Sequence, residues 1–168
     1  LDEKGRLMIT YYAETLPANE RPLFLDERRF TVPIQDESGE ILPRPLTGEF
    51  DRVVEIDGRI GLVDWKTAAR RWSAEDLAND AQSTAYVYAF RQLHGSDPAF
   101  FRYDLLLKTK SPAIERYHVE RGPRQIRRFV RIVKEVDKTL QSGSFIPRDK
   151  SWACKGCPFK SRCERWHE

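Results

Sequence analysis

The apolar residues recur with two different periods, and the changes of period divide the chain. Leu7, Met8, Tyr11, Tyr12 and Thr15 fall near one face of a helix-compatible stretch, residues 4–16, which Pro17 stops. Between Pro22 and Ile34 the pattern turns strand-like, and the polar run Gln35-Asp36-Glu37-Ser38-Gly39-Glu40 reads as a turn. Two further strands, residues 47–56 and 59–67, flank Asp57-Gly58. Ser73 opens a helix, with Asp76 placed for a capping box, and His94-Gly95 closes it. Residues 100–108 and 115–121 read as strands. Pro123 starts a last helix, with Ile126, Phe129, Val130, Val133 and Leu140 at helical spacing, that ends near Gly143. This order predicts an α/β fold, a central mixed β-sheet flanked by helices.

Composition narrows the class. With 168 residues, 40% hydrophobic and 33% charged, the chain is large enough for one core and too polar for a membrane protein. No run approaches the roughly 18 apolar residues of a membrane span, and Leu1-Asp2-Glu3-Lys4 has no signal-peptide character. The opening on Leu1 rather than Met reads as a piece of a longer protein, truncated upstream. Residues 1–150 are expected to form the core and residues 151–168 a cysteine-bearing extension of the same domain. Charge is uneven: residues 1–84 hold 11 Lys/Arg against 17 Asp/Glu, and residues 85–168 hold 18 against 9. Acids in one half and bases in the other suit a metal centre beside a phosphate-binding surface, although exposed charge without such a role is commoner.

Asp57-Gly58 is a strong two-residue hairpin signal, because a type I′ turn needs positive φ at both central residues. In that register Val53 faces Leu62, and Asp51 faces Asp64. Opposed Cβ atoms are roughly 4.5 to 5.5 Å apart, where like charges destabilise unless a positive charge lies between them. Lys66 falls on the face of Asp64, and Val53, Ile60 and Leu62 make that face partly apolar. Taken alone, the pair fits either a cation site or two carboxylates at the strand ends that point into water and pair with Arg52 or Lys66.

Gly48-Glu49-Phe50-Asp51-Arg52 followed by Val63-Asp64-Trp65-Lys66-Thr67 has the form D…DxK, and Gln82 and Tyr86 form QxxxY. This ordered set, with the cysteines near the C-terminus, resembles the RecB-type branch of the PD-(D/E)XK nucleases, which includes CRISPR-associated exonucleases and the nuclease domains of helicase-nucleases. The resemblance covers roughly residues 22–163 and implies a restriction-endonuclease-like core and Mg²⁺- or Mn²⁺-dependent hydrolysis of DNA, linear or single-stranded, in the cytoplasm, with a helicase or CRISPR-adaptation protein as partner. It implies that Asp51, Asp64 and the backbone carbonyl of Trp65 hold the metal, that Lys66 orients the attacking water, and that Gln82 and Tyr86 bind phosphate or steady Lys66. Glu27 is either a further acidic member or a solvated strand residue. Relatives carry a His on an N-terminal helix that completes the site, and none of His94, His118 and His167 lies there.

Cys154, Cys157 and Cys163 are the only cysteines. An odd, clustered set is a poor disulfide framework and a good metal-ligand set, which favours a reducing compartment. The spacing, with Pro158, is similar to part of the iron-sulfur motif of that nuclease branch, where the fourth ligand of a 4Fe–4S cluster comes from upstream. Zinc is the rival, since Cys163-x3-His167 would complete a Cys₃His site. The alternative function is a non-catalytic nucleic-acid-binding module in which a zinc-bound Cys₃His tail and the basic helix do the work. Arg124, Arg127, Arg128, Arg131, Lys134 and Lys138 form a basic stripe on the last helix, suited to phosphates or simply to water.

Overall fold

The computed structural model describes residues 3–23, 28–109, 111, 113–143 and 152–166. The chain falls into two compact units, Leu1–Ile132 and Val133–Glu168. In chain order the first holds α1 (Glu3–Glu14), β1 (Glu20–Leu23), β2 (Arg29–Val32), β3 (Leu46–Glu49), β4 (Arg52–Ile56), β5 (Arg59–Ala68), α2 (Ala74–Asn79), α3 (Ala81–His94), β6 (Phe101–Leu107) and β7 (Ala113–Val119), and then the start of α4 (Pro123–Ser142). The second holds the rest of α4, a 3₁₀ turn over Trp152–Gly156 and α5 (Lys160–Arg165). No helix among the described residues is long and apolar enough to cross a membrane.

The central sheet is mixed, in the order β1-β4-β5-β6-β7, and only the β5–β6 pair is parallel. Its first hairpin has the expected turn. Asp57 and Gly58 sit at φ 50° and 75°, and the ladder runs from Ile56↔Arg59 through Val53↔Leu62 to Arg52↔Val63. Two predicted strands are interrupted. The stretch expected over 22–34 contributes β1 to the central sheet and β2 to a separate two-stranded sheet with β3. The stretch expected over 47–56 changes sheets at Phe50-Asp51, between β3 and β4. Gly48 allows this, because a Cβ there would lie 2.5 Å from the Phe30 ring, which packs in turn on Phe50 at 4.7 Å between centroids. Ile60, expected on the apolar face of the hairpin, is exposed.

The helix predicted from Ser73 to His94 breaks at Asp80. The Ser73–Asp76 capping box forms at the start of α2, and Gly95 closes α3 in the left-handed conformation. Asp80 is extended (φ −70°, ψ 120°), and its carboxylate accepts the Ser83 N–H at 2.9 Å, so a side-chain cap starts a second helix where the apolar period alone suggests continuity. Of the apolar face expected on α1, Met8 is buried, whereas Leu7 and Tyr11 are exposed. On α4, Ile126 and Val130 are buried and Phe129 packs near Tyr88, but Leu140 is exposed.

Candidate active site at the open edge of β5

Strand β5 is longer than its neighbour on one side. Its ladder with β4 ends at Arg52↔Val63, while its ladder with β6 runs on to Ala68↔Leu107. Residues 64–68 therefore have an open edge, and Asp51, the first residue beyond the β4 ladder, stands beside it. Asp51 does not pair with Asp64 as a strand residue. Its Oδ2 instead accepts the Trp65 N–H at 3.0 Å. The N–H and C=O of one strand residue point the same way, so the Trp65 carbonyl is directed to the same open side.

Side chains alternate along β5, so Asp64 and Lys66 share a face with Tyr103 and Leu105, their neighbours on β6. Asp64 is fully buried, and neither of its carboxylate oxygens receives a hydrogen bond. Its one close polar partner is the Lys66 ammonium, an ionic contact without hydrogen-bond direction. Burial pushes the Asp64 carboxyl up from 3.8 to about 6; the Lys66 charge opposes this, and the nearby charges of Asp51 and Asp80 add to it.

Lys66 is held in turn. Its Nζ donates to Gln82 Oε1 at 2.7 Å, Gln82 Nε2 donates to the Tyr86 hydroxyl at 3.0 Å, and that hydroxyl donates to the Glu49 carbonyl at 2.7 Å. Gln82 and Tyr86 are one helical turn apart on α3, so one face of the helix carries the whole relay. Burial raises the Tyr86 pKa, which keeps its proton available for this donation. The relay ends at Glu49, two residues before Asp51, and links the lysine to the segment that changes sheets. The structure thus brings together Asp51, Asp64, Lys66, Gln82, Tyr86 and the Trp65 backbone. Two carboxylates, a strand carbonyl and an anchored ammonium converge on one open edge, an arrangement able to bind a hard cation and neutralise an anion beside it.

The sequence profile of the PD-(D/E)XK nuclease superfamily matches residues 1–164, nearly the whole chain. The chain belongs to the PD-(D/E)XK nuclease superfamily. No curated protein matches it. Among solved structures it is similar to SSO0001, with a TM-score of 0.57 and 15% identity over 96% of this chain and 68% of that one. It is also similar to a protein from Eubacterium rectale named "Putative exonuclease", with a TM-score of 0.56 and 16% identity over 97% of this chain and 59% of that one. At these identities the likeness shows the fold, and the PD-(D/E)XK chain spans less than the full length of both proteins.

PD-(D/E)XK nucleases act on nucleic acid and usually use divalent metals, and the residues present fit such an ion. Apart from the Lys66 ammonium no donor reaches the buried Asp64 carboxylate, and a cation would satisfy the lone pairs left over. Carboxylate and carbonyl oxygens suit Mg²⁺ or Mn²⁺. Among the described residues no third His, Cys, Asp or Glu joins Asp51 and Asp64. Glu27 and His167 lie outside the described residues. His94 stacks on Phe90 at the end of α3, and His118 lies on β7, so neither belongs to the site.

Cys154 lies in the 3₁₀ turn and Cys163 in α5, with Cys157 between them. None of the three is in a disulfide, and among the described residues no group of three His, Cys, Asp or Glu is placed to hold a metal ion. On α4, Arg131 is engaged with Glu37 at 2.9 and 3.1 Å and Lys138 with Glu135 at 2.7 Å, while Arg124, Arg127 and Arg128 are exposed.

The opposite face of the nuclease sheet holds a cluster that sequence reasoning missed. Arg102 donates to Asp104 at 2.6 and 3.0 Å and to Glu20 at 2.7 Å, and Arg52 pairs with Glu20 at 2.6 Å. The Tyr12 hydroxyl donates to Asp104 at 2.8 Å and accepts from the Trp65 indole at 2.7 Å and from Arg52 at 3.2 Å. Burial raises the Tyr12 pKa. A signal was present: Arg102 and Asp104 are charged residues two apart in the otherwise apolar run Phe101-Arg102-Tyr103-Asp104-Leu105, which places both on one face.

Proposed function

We propose that this chain is the nuclease core of a Mg²⁺- or Mn²⁺-dependent deoxyribonuclease of the RecB-type branch, an exonuclease on linear or single-stranded DNA. The observation that carries the proposal is Asp64: a fully buried carboxylate without a hydrogen-bond donor, beside Asp51 and the Trp65 carbonyl at an open strand edge, with Lys66 fixed next to it. The metal would supply Lewis acidity to the phosphate and a lower pKa to the attacking water.

In this proposal Asp51, Asp64 and the Trp65 carbonyl hold the ion. Lys66 provides a fixed positive charge toward which negative charge on the phosphate develops, and it orients the water. Gln82 accepts from Lys66 and fixes the ammonium where it stands beside Asp64. Tyr86 fixes the Gln82 amide so that its oxygen, and not its nitrogen, faces the lysine. Fixed placement before reaction is what makes such a cation effective.

The test is digestion of end-labelled linear DNA and covalently closed circular DNA with Mg²⁺ or Mn²⁺. Release of short products from linear DNA, with circles spared and Asp64→Ala inactive, is the expected result. Intact substrates in every condition would overturn the nuclease proposal, and cutting of circles would replace exonuclease with endonuclease.

A further inference from the structure

Beside Asp51 a cavity of about 320 Å³ opens on the α1 side of the sheet. Tyr12, Leu16, Pro22, Arg52 and Trp65 line it on that side, Leu23 and Val53, whose register places them on the Asp64 face, bound it at the sheet, and Arg28 and Asp51 stand at its border with the candidate site. We propose that this cavity receives one unpaired nucleobase of the strand whose phosphodiester lies at Asp51 and Asp64. The inference rests on the nuclease proposal and adds a substrate class to it: DNA that presents a base free of its complement.

Three observations favour a base as the occupant. The first is position. Asp51 lines the cavity and also stands at the edge of β5, where among the described residues no further strand separates the two faces of the sheet. A phosphate at that edge can send its base around the edge to the α1 side.

The second is the aromatic wall. Trp65 remains 43% exposed although it sits mid-strand, and its orientation is fixed: its indole N–H donates to Tyr12 at 2.7 Å, and the Tyr12 ring meets it edge-on at 6.1 Å. An indole held this way offers a stacking surface at little entropic cost, and stacking accepts any base. The third is the combination of size and polarity. The volume is at the small end of ligand pockets, and a wall of Leu16, Pro22 and Trp65 with polar groups from Tyr12, Arg28, Asp51 and Arg52 suits a flat aromatic ring carrying a phosphate. Arg28 is held at that border, donating to the Phe50 and Asp51 carbonyls at 3.2 and 2.9 Å. A paired base is committed to its complement and cannot enter, so the cavity selects frayed ends and single strands.

The test is a series of short, fluorescently labelled single-stranded oligonucleotides, each lacking the base at one successive position, with binding measured by anisotropy in Ca²⁺. The wild-type protein is expected to lose roughly tenfold in affinity when one particular base is missing, and little elsewhere. Trp65→Ala, and Leu16→Trp, which fills the cavity from the turn after α1, should each flatten that profile, and Trp65→Phe should restore part of it. A flat wild-type profile, absence of binding, or a profile unchanged in both Trp65→Ala and Leu16→Trp would overturn the inference. Cutting of the intact oligonucleotide in Mg²⁺ is scored separately. Cutting with a flat profile sinks the base pocket alone, and a position-dependent profile without cutting sinks the nuclease proposal alone.

Discussion

Asp64 and Asp104 are both fully buried on neighbouring, parallel-paired strands, yet they face opposite sides of the sheet and live in opposite chemistry. Asp104 accepts from Arg102 twice and from Tyr12, and Arg116 stands 3.7 Å away. Asp64 accepts no hydrogen bond of good geometry, and its ion-pair partner is Lys66. A buried charge normally costs several kcal/mol unless it is paired and hydrogen-bonded. Asp104 meets that requirement with this chain's own side chains, although on the same side Glu20 Oε1 and Arg116 Nε make no hydrogen bond. The α3 side leaves it partly unmet, and the deficit lies where a cation would remove it. Burial alone thus distinguishes neither role; the count of donors does.

The largest expected effect separates the two aspartates by function. Asp64→Asn should lower the cleavage rate by at least about a hundredfold, as should Lys66→Ala, with DNA binding retained in a gel-shift measurement. Asp104→Ala should instead cost about 3–5 kcal/mol of folding stability in urea titrations, because Arg102 is left buried with one partner fewer. Equal losses of stability for Asp64→Asn and Asp104→Ala would dissolve the contrast.

The pH dependence sharpens it. The folded-state carboxyl of Asp64 lies above its ordinary value, so the folded state holds the proton more tightly than the unfolded one. Metal-free stability should therefore fall as pH rises from about 3.8 to about 6 and carry the full penalty above that window. The Asp64 contribution is on the order of 3 kcal/mol. Asp64→Asn should accordingly be more stable than wild type at pH 8 and lose the advantage near pH 4, as thermal melts across pH would reveal. Divalent cation acts on the same deficit: Mn²⁺ at about 100 times its dissociation constant should stabilise wild type by about 2.7 kcal/mol and leave Asp64→Asn unmoved. The smallest effect belongs to the relay. Tyr86→Phe removes one hydroxyl between Gln82 and Glu49, and about 1 kcal/mol of stability and a fewfold drop in cleavage rate should follow.

Much of the site was legible because it depends on local rules. The Asp57-Gly58 turn sets the hairpin register, and the four-residue spacing of Gln82 and Tyr86 places both on one face of α3. Three features were not legible. The change of sheet at Phe50-Asp51 depends on Phe30 packing over Gly48, a contact between residues far apart in sequence. The break at Asp80 depends on a side-chain cap that also accepts the Tyr103 hydroxyl of β6, and a period of apolar residues carries no information about such a partner. The Tyr12–Asp104–Arg102 cluster joins α1 to β6, and hydrophobic patterning registers charged residues as surface.

The overhang of β5 also has a bearing on solubility. A strand with a free edge is a template for another strand, and proteins usually blunt such edges with charge or by covering them. Here Asp51 occupies the one N–H of Trp65 that a foreign strand would seek, and Lys66 sets a charge beside it. The edge is thereby a poorer template for a peptide backbone, and in the proposed function the same carboxylate would face the metal. One residue would then serve both to discourage self-association and to hold the ion.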